Sequence, residues 1–291
     1  MDDFAASAVP LTGGYGGQTF AVSAGGEDAV LKLYVKDPDR AAVDAALLQL
    51  VRGLLPVPRV LDLKREGSYD DPPYLLMERL PGINLQVFLE SASEEQRRTV
   101  GVQLGEVLAR LSGMPFLQSG MFRGGELAVE PFGLGDLEQY AAGLSLGLDP
   151  ERLAVVLNEA EDLMADGVDR VCLVHSDFNP KNLLVDPATA RITGLIDWEF
   201  SHAGSPYADL GNLFRFCEDP VLAGAVLDVL RGMGLGERLV DLGRAADLWA
   251  LLDLASRAAE HEVAAAAHRL VSRMVDTGTL SGARPALEVV H

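Results

Sequence analysis

Residues 174–182 read VHSDFNPKN, and fifteen positions beyond the last of them stands the acid of LIDWEF, Asp197. Oxygen-bearing side chains at this spacing can hold a hard cation, accept a proton, or cap turns. VCLVH reads as a strand, and Pro180 stops any helix from continuing it, so the loop DFNPKN projects Asp177 and Asn182 from a fixed base. NLLVD and ITGLID, separated by the turn residues Pro187–Ala190, read as a hairpin that returns Asp197 to the side of Asn182. Two neighbouring oxygen ligands with a third acid in reach suit Mg²⁺, which takes few protein ligands and fills its shell with phosphate and water. An acid outside that shell can orient a hydroxyl and take its proton. Glu199, two residues after Asp197, fits either a second shell around such a metal or the cap of a turn.

The elements that must carry these residues follow from patterning. TFAV and DAVLKLYV, with Gly25 and Gly26 between them, predict a hairpin, and VPRVLDL and PYLLMERL two further strands. AAVDAALLQLV has helical apolar spacing. After Pro81-Gly82 the pattern turns helical: Ser93 and Gln96 form a capping-box pair before RRTVGVQLGEVLARL, and Asp149-Pro150 opens another helix. The Ala-rich HEVAAAAHRLVSRMV predicts close helix packing. The expected fold is α+β. A small N-terminal antiparallel sheet lobe with one helix (residues 1–80) joins a larger, mainly helical lobe (residues 81–291) with a few short strands at the junction.

Composition narrows the partners. The chain of 291 residues carries 43 acidic and 24 basic side chains, a formal net charge of −19, which disfavours nucleic acid and anionic membrane as partners. The same charge either welcomes a cationic small substrate or merely keeps the protein soluble. Cys172 and Cys217 each lie in an apolar run and read as buried free thiols of a reducing compartment. MDDFAASAVP has no leader character, and no uncharged stretch is long enough to span a bilayer, so a cytoplasmic location is expected. No exposed apolar seam discloses an oligomeric state.

VHSDFNPKNLLVD together with GLIDWEF resembles the aminoglycoside phosphotransferase and choline kinase family, whose members share the bilobal protein-kinase fold. The resemblance implies a Mg²⁺-dependent kinase that moves the γ-phosphoryl of ATP or GTP to a small, possibly amine-bearing alcohol. By position it makes Asp177 the acid that orients the acceptor hydroxyl, Asn182 and Asp197 the two metal ligands, and His175 a residue that steadies the loop. Lys32 in AVLKLY matches the lysine that neutralises nucleotide phosphates. Its expected partner is an acid on the next helix, where the family usually has Glu and this chain has Asp44. That side chain is one methylene shorter, so a looser or water-bridged pair is expected.

LTGGYGGQTF, with Gly14 and Gly16, stands at the place of the phosphate-covering loop but lacks the full G-x-G-x-x-G pattern. LLMERLPG resembles the hinge, where backbone groups around Glu78 to Leu80 would meet the purine edge. Asp209 in YADLGN resembles an acid that supports the catalytic loop. Two departures from protein kinases point to a small acceptor. Asn179 replaces the usual catalytic-loop lysine, and Trp198-Glu199 replaces Phe-Gly with no activation-loop signature after it. The acceptor pocket is expected along MPFLQSGMFRGGELAVEPFG and the last helices, where Glu126, Glu130, Asp253, Glu260 and Glu262 are either amine contacts or solvated surface charge. Rival readings are an inactive nucleotide-binding scaffold, which the shortened Asp44 and irregular glycine loop leave open, and a metal-dependent phosphohydrolase.

Overall fold

Gly26, at φ +86°, reverses the chain between the strands Gln18–Ala24 and Glu27–Leu33, so that Ala24 faces Glu27 directly across the turn. A positive φ is open to glycine at no steric cost, which is why the Gly25-Gly26 pair made this hairpin legible beforehand. The computed structural model describes residues 8–11, 18–24, 26–133, 136–167, 170–235 and 238–283. The chain falls into two compact units, the first comprising Met1–Val100, Gln118–Pro131 and His175–Ala203 and the second the remainder.

The first unit is built on a five-stranded antiparallel sheet. Its order is Val9–Pro10, Gln18–Ala24, Glu27–Leu33, Tyr74–Glu78 and Val60–Lys64. Val22, Ala29 and Leu76 form its buried apolar cluster, with Phe20, Leu31 and Leu61 packed against them. The helix Arg40–Val51 buries Val43, Leu47, Leu48 and Val51, the face that the i, i+3, i+4 spacing marks out. A second sheet pairs Leu183–Asp186 with Arg191–Leu195 on one side and Ile83–Asn84 on the other. Asp186 closes that hairpin by accepting from Ala188 N–H and the Thr189 hydroxyl. The span MPFLQSGMFRGGELAVEPFG, read only as a pocket lining, contains a hairpin of Gly120–Arg123 and Ala128–Pro131. Its strands are only four residues long, too short for a period-two pattern to register.

The second unit is helical. Asp149 accepts from Glu151 and Arg152 N–H groups with Pro150 at the first position of Pro150–Ala165, and Asp219 does the same for Pro220–Gly232. In the first unit the capping box forms as expected, with Gln96 N–H donating to Ser93 Oγ (3.2 Å) and Ser93 N–H to Gln96 Oε1 (2.8 Å). Val156, Leu157, Leu248, Leu252 and Val271 lie in one core, into which the Ala-rich helix Glu262–Thr277 turns Ala267.

Helices Ala208–Phe214 and Leu239–Ser256 approach through Gly211, where an added Cβ would stand 2.0 Å from the Gly243 carbonyl oxygen and 2.6 Å from Asp247 Cβ. Backbone cannot yield there as a flexible side chain could. Gly211→Ala is therefore expected to cost about 1–3 kcal/mol or more, read as a lowered urea midpoint at unchanged slope.

Candidate active site

The chain leaves the strand Val171–Val174 at His175, and Ser176 then adopts φ +67°. Asp197, after the returning hairpin strand, adopts φ +63°. Left-handed backbone in residues other than glycine costs about 1–3 kcal/mol and persists where surroundings over-determine it, a pattern concentrated at functional sites. Here the two turns flank the candidate residues and aim them. Register puts Leu183 opposite Leu195, and Ile196 N–H donates to the Asn182 carbonyl at 2.9 Å, so Asp197 does return beside Asn182.

Asp177 is half-buried, and each of its carboxylate oxygens accepts from one amide. Asn179 Nδ2 donates to Oδ1 (2.6 Å) and Asn182 Nδ2 to Oδ2 (2.6 Å). A carboxylate offers about four acceptor positions, so two amide bonds fix its plane and leave capacity for a substrate hydroxyl. Asn179, noted from the sequence only as a departure, is thus part of the mount. Asn182, with its nitrogen spent on Asp177, retains its oxygen for a cation.

His175 is fully buried. Its Nε2–H donates to the Ile196 carbonyl (3.1 Å), and its Nδ1 accepts from Asp177 N–H (3.3 Å), so both ring nitrogens serve backbone. Burial pushes its pKa down to about 3; the Ile196 bond opposes this, while the Arg40 and Lys32 cations add to it. The ring is a neutral brace, in line with the structural role the resemblance implies. Below pH 6.5 the unfolded chain takes up a proton that the folded His175 refuses down to about 3. Stability held above pH 6.5 should fall by about 1.4 kcal/mol per pH unit from this residue alone. Urea melts at pH 7 and 5 should show a smaller loss for His175→Gln, which cannot charge, than for the parent.

Lys32 is buried and touches three acids: Asp197 at 2.9 Å, Glu199 at 3.1 Å and Asp44 at 3.8 Å. Burial disfavours its charge, but the Asp197, Asp44 and Glu199 carboxylates outweigh burial and hold the ammonium above its ordinary range. The pair expected with Asp44 is the longest of the three. Asp44 is instead taken by Arg40 Nε (2.7 Å) and the Tyr34 hydroxyl (2.7 Å), two residues the sequence did not single out. The Glu199 carboxylate, carried on the turn 198–201, pairs with Lys32, and its Oε1 is buried with no hydrogen-bond partner.

An orphaned buried carboxylate oxygen calls for a cation or another donor. With Asp197 and the Asn182 oxygen it makes an all-oxygen set, which fits Mg²⁺ and not a soft metal. No cluster of three or more His, Cys, Asp or Glu that could hold a metal occurs among the described residues.

The remaining candidates divide. Glu78 is engaged locally, its N–H donating to the Arg59 carbonyl at 2.9 Å and its carboxylate accepting from Arg59 N–H at 3.3 Å. Leu80 is half-buried next to Gly194. Gly14 and Gly16 lie outside the described residues. Asp209 is buried on the helix Ala208–Phe214. Glu130 is paired with Arg123 (2.5 Å) and Asp253 with Arg257 (2.6 Å), which favours the surface-charge reading for both. Cys172 is buried, whereas Cys217 is only partly so. Among the described residues no helix is long and apolar enough to cross a membrane.

A strand lysine, Lys32, a loop acid with its asparagine, Asp177 and Asn182, and a hairpin acid, Asp197, fall in one compact unit. Residues 7–249 match the profile of the phosphotransferase enzyme family, and the chain belongs to that family. It is 30% identical over 212 residues to an aminoglycoside 3'-phosphotransferase of Streptomyces fradiae, covering 67% of this chain and 74% of the relative. It is also 30% identical over 168 residues to acyl-CoA dehydrogenase family member 10 of Mus musculus, covering 54% of this chain but only 15% of that protein's length. In fold it resembles aminoglycoside phosphotransferase APH(4)-Ia, solved as a ternary complex with AMP-PNP and hygromycin B, with a TM-score of 0.68, 22% identity and 94% of each chain covered. The expected α+β, protein-kinase-like fold is thereby established.

Proposed function

We propose that this protein is a Mg²⁺-dependent small-molecule kinase, transferring the γ-phosphoryl group of ATP or GTP to the hydroxyl of a small substrate, amine-bearing alcohols included, in the cytoplasm. The observation that carries this reading is the convergence on one buried lysine of Asp197 and Glu199, beside a carboxylate held by two amides. The family membership and an AMP-PNP complex in a fold relative support it.

In this reading Asp177 orients the acceptor hydroxyl and takes its proton as the new O–P bond forms and the bond from phosphorus to the leaving nucleotide oxygen breaks. Lys32 sets its ammonium against the nucleotide phosphates. Asn182 and Asp197 would hold Mg²⁺, with Glu199 close at hand; when bound, the ion supplies charge neutralisation on the phosphate oxygens. His175 and Asn179 keep the loop in shape. Gly14 and Gly16 would cover the phosphates, and Asp44 would stay behind Lys32. Backbone groups from Glu78 to Leu80 would meet the purine. The division expected from the sequence, nucleotide on residues 1–80 and catalytic loop with acceptor on 81–291, belongs to the same proposal. Positioning and electrostatics account for most of the acceleration, because phosphoryl transfer asks little covalent work of the protein.

The test is a screen with γ-labelled ATP and GTP, with Mg²⁺, against aminoglycosides, choline and other amino alcohols, homoserine and sugars. Label recovered in one acceptor class supports the reading. Binding of Mg–AMP-PNP without turnover on any alcohol would replace it with a scaffold, and rapid nucleotide loss unaffected by acceptors would replace it with a phosphohydrolase.

A further inference from the structure

Arg40 opens the helix Arg40–Val51, where a cation opposes the helix dipole, and its side chain is 7% exposed. Arginine cannot shed its proton to relieve burial, so both costs must be met by acceptors. The acceptors found are not random. Nε donates to Asp44 Oδ1 at 2.7 Å, Nη2 to the Trp198 carbonyl at 2.5 Å, and both Nη atoms lie 3.3 Å from the Ser201 carbonyl. One planar guanidinium thereby joins the helix behind Lys32 to both ends of the segment 198–201, which begins directly after Asp197 and contains Glu199. That segment starts from a left-handed residue, a conformation that needs something to hold it. Ser201 adds a bond from its hydroxyl to the His175 carbonyl at 3.3 Å, linking the same segment to the start of the Asp177 loop. Arg40 on Oδ1 and the Tyr34 hydroxyl on Oδ2 together engage Asp44, which stands 3.8 Å from Lys32, while the ammonium's shorter contacts go to Asp197 and Glu199.

We propose that Arg40 is a positioning residue, a clamp that fixes the backbone carrying Asp197 and Glu199 relative to Lys32. Its consequence for catalysis rests on the kinase reading above; its structural effect does not. A lysine could satisfy one of these acceptors as a point charge but could not span three in one plane.

The test compares wild type with Arg40→Gln and Arg40→Lys by amide hydrogen exchange, Mg–AMP-PNP titration and acceptor kinetics. In Arg40→Gln the amides of residues 197–201 should exchange at least tenfold faster, while those of the remote helix Pro150–Ala165 keep wild-type protection. The Mg²⁺ concentration for half-maximal AMP-PNP binding should rise about tenfold, and kcat should fall more than the acceptor KM changes, with partial rescue in Arg40→Lys. Wild-type exchange at 197–201 in Arg40→Gln overturns the clamp, as does faster exchange throughout the chain with normal kcat in the folded fraction. Should wild type neither bind Mg–AMP-PNP nor transfer phosphate, the kinase reading fails, and the exchange measurement still decides the clamp.

Discussion

Asp177→Ala should eliminate phosphoryl transfer while leaving Mg–nucleotide affinity within a few-fold of the parent. Asp177 is mounted by the Asn179 and Asn182 amides, whereas Lys32 is held by Asp197, Glu199 and Asp44. Its removal therefore leaves the phosphate-facing cation and the cation-binding oxygens in place. What disappears is the group that aims the hydroxyl and accepts its proton, a loss of about 10²–10⁴ in kcat for general-base catalysis. Both amides keep a bond to the Asp177 backbone carbonyl, Asn179 at 3.3 Å and the buried Asn182 at 2.9 Å, so stability should change little. Single-turnover transfer and equilibrium binding of a fluorescent nucleotide, measured on one preparation, separate the two effects. Parental transfer rates in this variant would remove Asp177 from the mechanism.

Asp197→Asn should show the opposite split, with Mg–nucleotide binding itself weakened by about a hundredfold or more, equivalent to about 2.7 kcal/mol. Asparagine is the informative replacement because it tolerates the φ of +63° that Asp197 adopts, whereas alanine would add backbone strain to the loss of charge. Lys32 keeps Glu199 at 3.1 Å and Asp44 at 3.8 Å, so the variant should fold. Calorimetric titration of Mg–AMP-PNP reads the loss. An affinity equal to the parent's would mean that the cation is held elsewhere.

The parts of the molecule that announced themselves in the sequence are those with strict local rules. Gly26 at a tight turn, Ser93 with Gln96 at a helix start, and Asp149-Pro150 are each dictated by a few neighbouring atoms, and each appears where expected. The approach of Asp197 to Asn182 was legible for a similar reason, since a hairpin around Pro187–Ala190 has few registers that bury Leu183 and Leu195 together.

Long-range pairing was not legible. Arg40 reads as a solvated charge at a helix start, and only tertiary burial makes it a ligand for carbonyls 158 and 161 residues away. Asp44 sits at the expected position, yet its closest bonds go to Arg40, one turn earlier on the same helix, and to Tyr34, both of which reach it more closely than Lys32 does. The short hairpin of Gly120–Arg123 and Ala128–Pro131 escaped because four-residue strands blur periodicity.

Lys32 spends the resting state as an internal counter-ion for Asp197 and Glu199. Two acids drawn together under low dielectric would ordinarily repel each other, and a tethered cation offsets that repulsion without help from solution. If the centre takes up a divalent ion as proposed, loading it would exchange one positive charge for another rather than assemble mutually repelling parts.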